Sequence, residues 1–371
     1  MPPRHLYVHV PFCARRCSYC DFSIAVRRSV PVSDYVDGIR RELANRNRTG
    51  ERAPLDTLYL GGGTPSRLGG AGVAALLAAI REHATWDDTA EVTLEANPDD
   101  VTAERACAWR DAGVNRVSLG AQSFSPRALE WMRRTHDADQ IGAAVAQLRA
   151  AGIAQLSLDL IFALPEEVPR DWSDDLARAL ALEPDHISLY GLTVEPHTPL
   201  GHWRDRGELT ESPDTRYERD FLFAHSTLGE AGFEHYEVSN YARSGARARH
   251  NSSYWRHVPY GAIGPGAHRF DGARRSWNVA PYAEWLRRVR AGMDPTEGEE
   301  QLLASDVESE RTYIRLRTTD GLVLTDELRA HTKRWRTEGW ATIVDNRLKL
   351  TPLGWLRLDA LAVDLTHAGS R

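Results

Sequence analysis

Short apolar runs alternate with longer amphipathic stretches through the first half of the chain. The runs lie at residues 6–10, 57–60, 91–95, 116–119, 155–161 and 186–192, and helical patterns separate them at 34–45, 72–83, 102–112, 138–151 and 171–182. Short apolar strands joined by helices are typical of a parallel sheet that is covered on both faces. Six such units predict an α/β fold, a partial (β/α)6 barrel that is three-quarters of the closed eight-unit TIM barrel.

The alternation ends near residue 213. An arginine-rich loop and a glycine-dense segment at 261–266 follow. From about residue 299, short helices and a hairpin at 341–350 indicate a small, mainly helical, winged-helix-like domain. We therefore predict three parts, which are the barrel at 1–212, a connecting region at 213–298 and the C-terminal domain at 299–371.

Composition restricts the partners and the compartment. The formal net charge of −6 gives no reason to expect a nucleic acid partner. The best apolar run, at 71–80, is too short to cross a bilayer, and no signal-peptide pattern precedes the first predicted strand. We expect a cytoplasmic protein that associates with membranes at most peripherally.

Three of the four cysteines lie within eight residues, as Cys13, Cys17 and Cys20 in a C-x3-C-x2-C pattern. This spacing brings three thiolates to one face of a loop, as iron–sulfur ligation requires. Because a 4Fe–4S cubane has four irons, one iron is left free to bind the amino and carboxylate groups of S-adenosylmethionine. A Cys3His zinc site with His9 and a redox cysteine cluster are the alternatives. Zinc-binding cysteines usually form two separated pairs, and Cys107 offers no second pair.

Two further patterns lie where the predicted strands end. A Gly-Gly-Gly-Thr-Pro-Ser loop at 61–66 follows the second strand, and glycines let backbone groups approach a ligand closely. Alone this loop is a weak signal, because phosphate-binding loops and plain tight turns compete with it. Polar side chains also gather at the predicted C-terminal rim of the barrel, where ligands bind in such folds, namely Glu95, Gln122, Arg134 and Asp159. Structural alternatives exist for each, such as an ion pair between Arg134 and Glu130 on one helix.

Together these segments resemble the oxygen-independent coproporphyrinogen III oxidase-like branch of the radical-SAM family, over nearly the whole chain. The resemblance rests on the cysteine triplet and on the motifs at 6–11, 61–66, 95–98, 120–124 and 159–165. Ala163 departs from the branch, which tends to have glycine there. The resemblance implies a 4Fe–4S cluster on Cys13, Cys17 and Cys20. It also implies S-adenosylmethionine contacts at Tyr7, Tyr19, Gly62, Gly63, Thr64, Glu95, Gln122, Arg134 and Asp159.

The branch contains two functions, and three features distinguish them. Its oxidases resemble C-x3-C-x2-C-x-C, whereas the position of the last cysteine is Phe22 here. Oxidases also carry a sizeable extension before the cluster, whereas only twelve residues precede Cys13. The segment at 250–255 matches the H-N-x-x-Y-W signature of HemW-type heme chaperones. All three favour a heme chaperone without coproporphyrinogen oxidase activity, and coproporphyrinogen III oxidase is the alternative.

The signature suggests how heme is held as cargo. His250 offers an imidazole to the iron, and Tyr254 and Trp255 offer rings to the porphyrin plane. Guanidinium groups suit the heme propionates, and four surround the motif, at Arg243, Arg247, Arg249 and Arg256. The alternative is a structural His250 in a solvated loop, and His268 is a rival ligand. Apo-hemoproteins are the expected acceptors; an electron donor for the cluster and a homodimer are further partners that the interpretation allows.

Overall fold

Within the described residues, 3–47 and 51–368 of a computed structural model, nine strands form the main sheet. In chain order these strands are β1 His5–Val10, β2 Thr57–Gly62, β3 Glu91–Ala96, β4 Arg116–Gln122, β5 Gln155–Phe162, β6 His186–Gly191, β7 Glu234–Glu237, β8 Asn240–Ala242 and β9 Gly261–Ile263. Across the sheet their order is β7-β8-β6-β5-β4-β3-β2-β1-β9. Strands β1 to β6 are parallel neighbours, which confirms the predicted partial (β/α)6 barrel.

The connecting helices cover the outside of this sheet. The helices of the first half are α1 Val32–Arg46, α2 Gly69–Arg81, α3 Ala103–Ala112, α4 Pro126–Trp131, α5 Ala138–Ala151, α6 Trp172–Ala181 and α7 Pro199–Asp205. Their ends follow local chemistry: Asp137 and Gln140 form a capping box at the start of α5, and Gly152 ends it with φ 87°. The predicted helices are confirmed, whereas the short α4 and α7 were not predicted.

Most positions in the strands of the barrel alternate between aliphatic and polar side chains. In β5, Leu156, Leu158 and Leu160 belong to the main hydrophobic cluster under the helices. The alternate positions, Ser157 and Asp159, bond to polar side chains of the neighbouring strands. Successive strand residues face opposite sides of a sheet, so the aliphatic rows face the helices and the polar rows fill the barrel interior.

The chain returns to the barrel after residue 230. Helix α8 Asp214–Glu230 leads to β7 and β8, which extend the β6 edge, and β9 pairs in parallel with β1 at the other edge. The main sheet therefore takes strands from both sides of residue 212, and the three-part division of the chain stays a prediction. After β9, a second sheet contains β10 His268–Phe270, β11 Arg274–Asn278 and β12 Thr296–Gln301.

Glu42 on α1 anchors this returning segment. Its buried carboxylate accepts hydrogen bonds from Gly264 N at 3.0 Å and from Asn278 Nδ2 and Trp285 Nε1 at 2.8 Å each. Arg46, one turn later on α1, completes the set with an ion pair at 2.7 Å. A buried carboxylate with four partners ties α1, β9 and β11 together, because leaving any one partner unmatched is costly.

The C-terminal region is mainly helical. Two helices precede this region, α9 Arg249–Trp255 and α10 Tyr282–Arg290. The region itself contains α11 Ala304–Leu316, α12 Asp326–His331, α13 Lys333–Thr337, α14 Pro352–Trp355 and α15 Leu358–Ala368. A small antiparallel sheet joins them, made of β13 Leu322–Val323, β14 Ala341–Val344 and β15 Arg347–Leu350. The predicted hairpin is β14 and β15. None of the described helices has the length and apolar character needed to cross a membrane.

Candidate functional site

A cavity of about 480 Å³ lies at the C-terminal ends of the barrel strands. All three clustered cysteines line it, together with eight of the nine predicted S-adenosylmethionine contacts, which are Tyr19, Gly62, Gly63, Thr64, Glu95, Gln122, Arg134 and Asp159. The cavity is therefore the place where the predicted cluster and cofactor residues come together. The contacts themselves stay predictions.

The cysteine loop is held at both ends. Cys13 lies in a two-residue strand, Phe12–Cys13, that pairs with Ala25–Val26 and so closes the loop. The Cys13 Sγ lies 3.4 Å from Thr64 Oγ1, and Arg134 Nη1 donates to Cys17 Sγ at 3.4 Å. Burial raises the pKa of Cys13, and burial also raises the pKa of Cys20 to about 11. A cysteine binds a metal ion as a thiolate, so these thiols lose their protons when a metal ion binds. Metal binding and proton release are therefore coupled.

The structure bears on the zinc alternative. His9 uses both ring nitrogens inside the protein: Nδ1 with Tyr7 Oη at 3.1 Å and Nε2 with Ser23 O at 3.0 Å. In the described part of the chain, no three His, Cys, Asp or Glu side chains are grouped as ligands of a single metal ion. A cubane requires a different geometry, because each cysteine binds a different iron and the three sulfur atoms are therefore farther apart than the ligands of one metal ion. The all-thiol donor set therefore fits a cluster better than zinc.

The glycine loop is shaped by close backbone approach. Gly62 has φ 113°, and a Cβ at Gly63 would lie 2.7 Å from the backbone of Pro11. Glu95 stabilises the loop, because its carboxylate accepts hydrogen bonds from Gly62 N at 3.0 Å and from Tyr59 Oη at 2.8 Å. Burial raises the pKa of Glu95 to about 7. With this pKa the carboxyl group that lines the cavity is partly ionised near neutral pH. It can accept a hydrogen bond from a cationic group or a hydroxyl group of a ligand.

Asp159 and Arg134 provide opposite charges on two sides of the cavity. Asp159 accepts from Ser118 Oγ at 2.9 and 3.0 Å, and burial raises its pKa. Arg134 Nη2 donates to Asn97 Oδ1 at 2.6 Å and to Gly120 O at 3.0 Å. Its Nε is buried without a partner in the described structure. A buried donor that lacks an acceptor is costly in a folded protein, so this atom marks a place for a ligand acceptor.

Gln122 is held in an unusual backbone conformation at the end of β4, with φ 66°. The next two residues are fixed by Asp175 on α6, whose carboxylate accepts from Ser123 Oγ at 2.7 Å and Phe124 N at 2.6 Å. Arg170 pairs with Asp175 at 3.6 Å. Strained backbone persists where the surrounding bonds determine it, and it gathers at ligand sites.

Tyr7 does not line the cavity. Its ring stacks on Tyr59, with ring centroids 6.1 Å apart, and a Cβ at Gly61 would lie 3.0 Å from it. Tyr7 thus lies behind the lining residues, and its direct contact with S-adenosylmethionine stays a prediction.

The predicted heme motif lies at the opposite end of the barrel. His250 N and Arg249 N donate to the Glu91 carboxylate at 2.8 Å each, and His250 Nδ1 lies 2.7 Å from Thr57 Oγ1. Glu91 and Thr57 are the first residues of β3 and β2, so helix α9 plugs the floor of the barrel. Tyr254 Oη takes the second nitrogen, Nε2, at 2.8 Å.

This arrangement bears on the predicted role of His250 as the heme ligand, which stays a prediction. The side chain is 0% exposed, and burial lowers its pKa to about 3. Both imidazole nitrogens are therefore engaged inside the protein and are not accessible from solvent. This geometry favours the alternative, a structural histidine. Trp255, five residues later, contacts the C-terminal region, because the Arg317 guanidinium lies 4.7 Å from the centre of its ring.

The comparisons with known proteins agree with this fold. The Radical SAM superfamily profile matches residues 7–179. The heme chaperone HemW of Mycobacterium tuberculosis is 36% identical over 97% of this chain and 94% of its own length, and HemW of Escherichia coli is 38% identical over 72% and 70%. The chain belongs to the HemW family. The solved coproporphyrinogen III oxidase (HemN) of Escherichia coli superposes with a TM-score of 0.81 over 98% of this chain and 90% of its own, at 22% identity, which establishes a shared fold.

Three cavity residues of this HemW-family chain were missed by sequence reasoning. Asn97 accepts from Arg134, Ser118 donates to Asp159, and Tyr190 is 46% exposed at the end of β6. A signal for each was present, because all three occupy inward or terminal positions of predicted strands. Reading the period-2 alternation along every strand would have found them.

Proposed function

We propose that this chain is a heme chaperone that binds heme and delivers it to apo-hemoproteins. The observation that carries the proposal is its likeness, over nearly the whole length of both chains, to a relative named heme chaperone HemW. The H-N-x-x-Y-W signature at 250–255 belongs to the same resemblance. A full-length match is needed for this argument, because a shared barrel alone is compatible with many functions.

In this proposal Cys13, Cys17 and Cys20 hold a 4Fe–4S cluster, and the cavity beside them holds S-adenosylmethionine. When bound, the cluster supplies an iron with an open position and an electron for the sulfonium. The backbone of Gly62 and Gly63 lines the cavity and can form hydrogen bonds with a polar group of the ligand. Glu95 and Asp159, two of the cavity carboxylates, accept hydrogen bonds from amino and hydroxyl groups, and the unpartnered Nε of Arg134 donates one.

Phe22 separates this proposal from the alternative, oxidative decarboxylation of coproporphyrinogen III. By resemblance, the oxidases carry a fourth cysteine at this position. Here an apolar ring stands at the cavity wall, and its side chain is 59% exposed. A ring at this place gives a flat macrocycle a surface to contact and gives a metal no ligand. We infer that the chain lacks coproporphyrinogen oxidase activity.

Anaerobic reconstitution of the cluster, followed by heme titration with and without S-adenosylmethionine, tests the proposal. We expect stoichiometric heme binding and transfer of that heme to apomyoglobin, followed by absorbance. The same sample incubated with coproporphyrinogen III and a chemical reductant is expected to form no vinyl product. Decarboxylation without heme transfer would overturn the proposal in favour of the oxidase.

The remaining partners belong to the same proposal. An electron donor reduces the cluster, membranes are contacted at most peripherally, and the chain forms a homodimer. Sedimentation with and without heme measures the last of these. A sedimentation coefficient that stays at the monomer value under both conditions removes the homodimer from the proposal.

A further inference from the structure

The segment after β9 approaches the cysteine loop. A Cβ at Gly264 would lie 2.5 Å from His9 O, at the end of β1 that leads into the cysteines. A Cβ at Gly266 would lie 3.6 Å from the Ser23 Cβ, and Ser23 Oγ donates to Ala280 O at 3.4 Å. The cysteine loop and the β9–β11 segment are therefore in direct contact. Phe22 and His268 lie one and two residues from this contact along the chain.

His268 differs from the buried histidines of this molecule. The side chain is exposed, and neither ring nitrogen has a hydrogen-bond partner among the described residues. In contrast, His9, His186 and His250 each have both nitrogens bonded inside the protein. A neutral imidazole with a free nitrogen is the group that heme iron takes from proteins as an axial ligand.

An aromatic support positions the His268 ring. It stacks on Trp277 of the neighbouring strand, with ring centroids 5.7 Å apart and planes 19° from parallel. Trp277 in turn covers Gly298 on β12, where a Cβ would lie 2.4 Å from the indole. Glycine is required at Gly298 for the indole to lie flat. The stack fixes the orientation of the imidazole without using either of its nitrogens.

The support is itself rigid. Asn278, the residue after Trp277, donates to the Glu42 carboxylate at 2.8 Å and to Gly264 O at 2.7 Å. The strand before His268 is fixed by Gly264 N, which donates to the same carboxylate at 3.0 Å. Strand β11, which carries Trp277, and the end of β9, four residues before His268, are thus anchored to α1. A ligand held in place before binding loses less entropy when it binds.

The surroundings suit a heme. Phe22 offers an exposed apolar ring on the neighbouring loop. The Arg275 guanidinium is close enough to His268 to act, together with burial, in lowering the pKa of the imidazole, and its side chain is 38% exposed. A lowered pKa keeps the imidazole neutral, and a guanidinium can pair with a propionate. Arg275, which pairs with Glu310, therefore lies near the His268 ring, and the loop that carries Phe22 contacts the same segment of the chain.

We propose that His268 supplies the axial ligand to the iron of the heme cargo, at the junction of the β9–β11 segment with the cysteine loop. The inference rests on the proposed heme-chaperone function and gives it a location. It places the heme beside the cluster cavity and away from the signature motif in the barrel floor.

Heme titration of the full-length protein, followed by absorption and electron paramagnetic resonance, tests the inference. His268→Ala is expected to weaken heme binding by at least the roughly 10- to 100-fold that loss of an outer-shell partner costs at metal sites. His268→Cys is expected to replace the imidazole spectrum by a thiolate spectrum, which a merely structural residue would not cause. His197→Ala and His202→Ala are the matched controls, because both side chains are exposed, and they are expected to leave the spectrum unchanged.

The outcomes separate the inference from the proposed function. If wild-type protein binds no heme, the proposed function fails and the inference fails with it. If wild-type protein binds heme while His268→Ala and His268→Cys keep its affinity and spectrum, the inference alone is wrong. Circular dichroism of each variant verifies the fold, which an exposed strand residue is not expected to disturb.

Discussion

The rim and the floor of the barrel are built from the same strands and differ in what their polar groups bond to. At the rim, Glu95 and Asp159 face a cavity, and Arg134 keeps a buried nitrogen without a partner. At the floor, His250 has every polar atom bonded, with Thr57 among its partners, and its side chain is 0% exposed. Inward-facing polar residues occur at both ends, so polarity alone does not indicate a binding site. A polar atom without a hydrogen-bond partner, next to a cavity, does indicate a binding site.

The largest expected difference concerns the cluster. Cys17→Ala is expected to abolish the iron–sulfur absorbance and the bound iron after anaerobic reconstitution, since two cysteines cannot retain the cubane. Cys107→Ala, on the outer helix α3, is the control and is expected to keep both. The urea unfolding midpoint of metal-free protein is expected to be equal in the two variants. Full iron content in Cys17→Ala would contradict the assignment of the rim.

His250→Ala tests the floor. Removing the imidazole leaves Tyr254 Oη without its partner, leaves Thr57 Oγ1 with His5 Nδ1 alone at 3.0 Å, and opens a cavity, and together these effects cost about 4 kcal/mol of unfolding free energy. Urea unfolding measures the loss. His250→Gln keeps a donor and an acceptor and is expected to recover part of it, and Asn251→Ala, on the same helix, is the control.

Heme affinity of folded His250→Gln protein gives the comparison a second test. We expect the wild-type absorption spectrum, because the floor does not bind the cargo. A shifted spectrum would return the heme ligand to the signature motif.

The two ends are also expected to respond to pH in opposite directions. The pKa of Glu95 is raised from 4.5 to about 7 by burial, so its contribution to stability is complete below about pH 4.5 and is lost as the pH rises through 7. The pKa of His250 is lowered from 6.5 to about 3, so its contribution is present above pH 6.5 and is lost as the pH falls.

Glu95→Gln isolates the rim part of this response. As the pH rises from 4.5 to 8, the unfolding free energy of the wild type is expected to fall by about 3 kcal/mol relative to that of the variant. Urea unfolding of the metal-free proteins at a series of pH values measures the difference. A difference that does not change with pH would show that Glu95 is not held protonated at the rim.

The smallest expected effect is at Ala163, the residue after β5. Its φ of 55° lies in the left-handed region, where a Cβ is strained. Ala163→Gly is expected to raise the unfolding free energy by about 0.5 to 1 kcal/mol, measured by thermal unfolding. Ala154→Gly, in the loop before β5, is the control and is expected to show no gain.

Local sequence accounts for most of the barrel and for the composition of its rim. Strands β1 to β6 were predictable because each leucine and valine row has to face a helix. Strand β9 was not predicted, because Gly261 has no side chain and the strand exists by pairing with β1. The short helix α9 was also not predicted, because its N-terminus is stabilised by a residue far away in the sequence, Glu91.

The site residues stay predictions, but eight of the predicted cofactor contacts line one cavity. Several of them lie in or directly after strands, and the C-terminal ends of the strands converge by topology. The burial of His250 and the exposure of His268 depend on which segments return to the barrel from far along the chain. A motif indicates that a residue matters, and tertiary structure decides whether its nitrogens are free.

The pairing of β1 with β9 has a consequence for synthesis. Val8 pairs with Ile263, so the edge beside the cysteine loop stays open until most of the chain has left the ribosome. At about 5–20 residues per second this interval lasts on the order of tens of seconds. The edge of the sheet beside the cysteine loop is therefore completed only late in synthesis, after the rest of the barrel has been made.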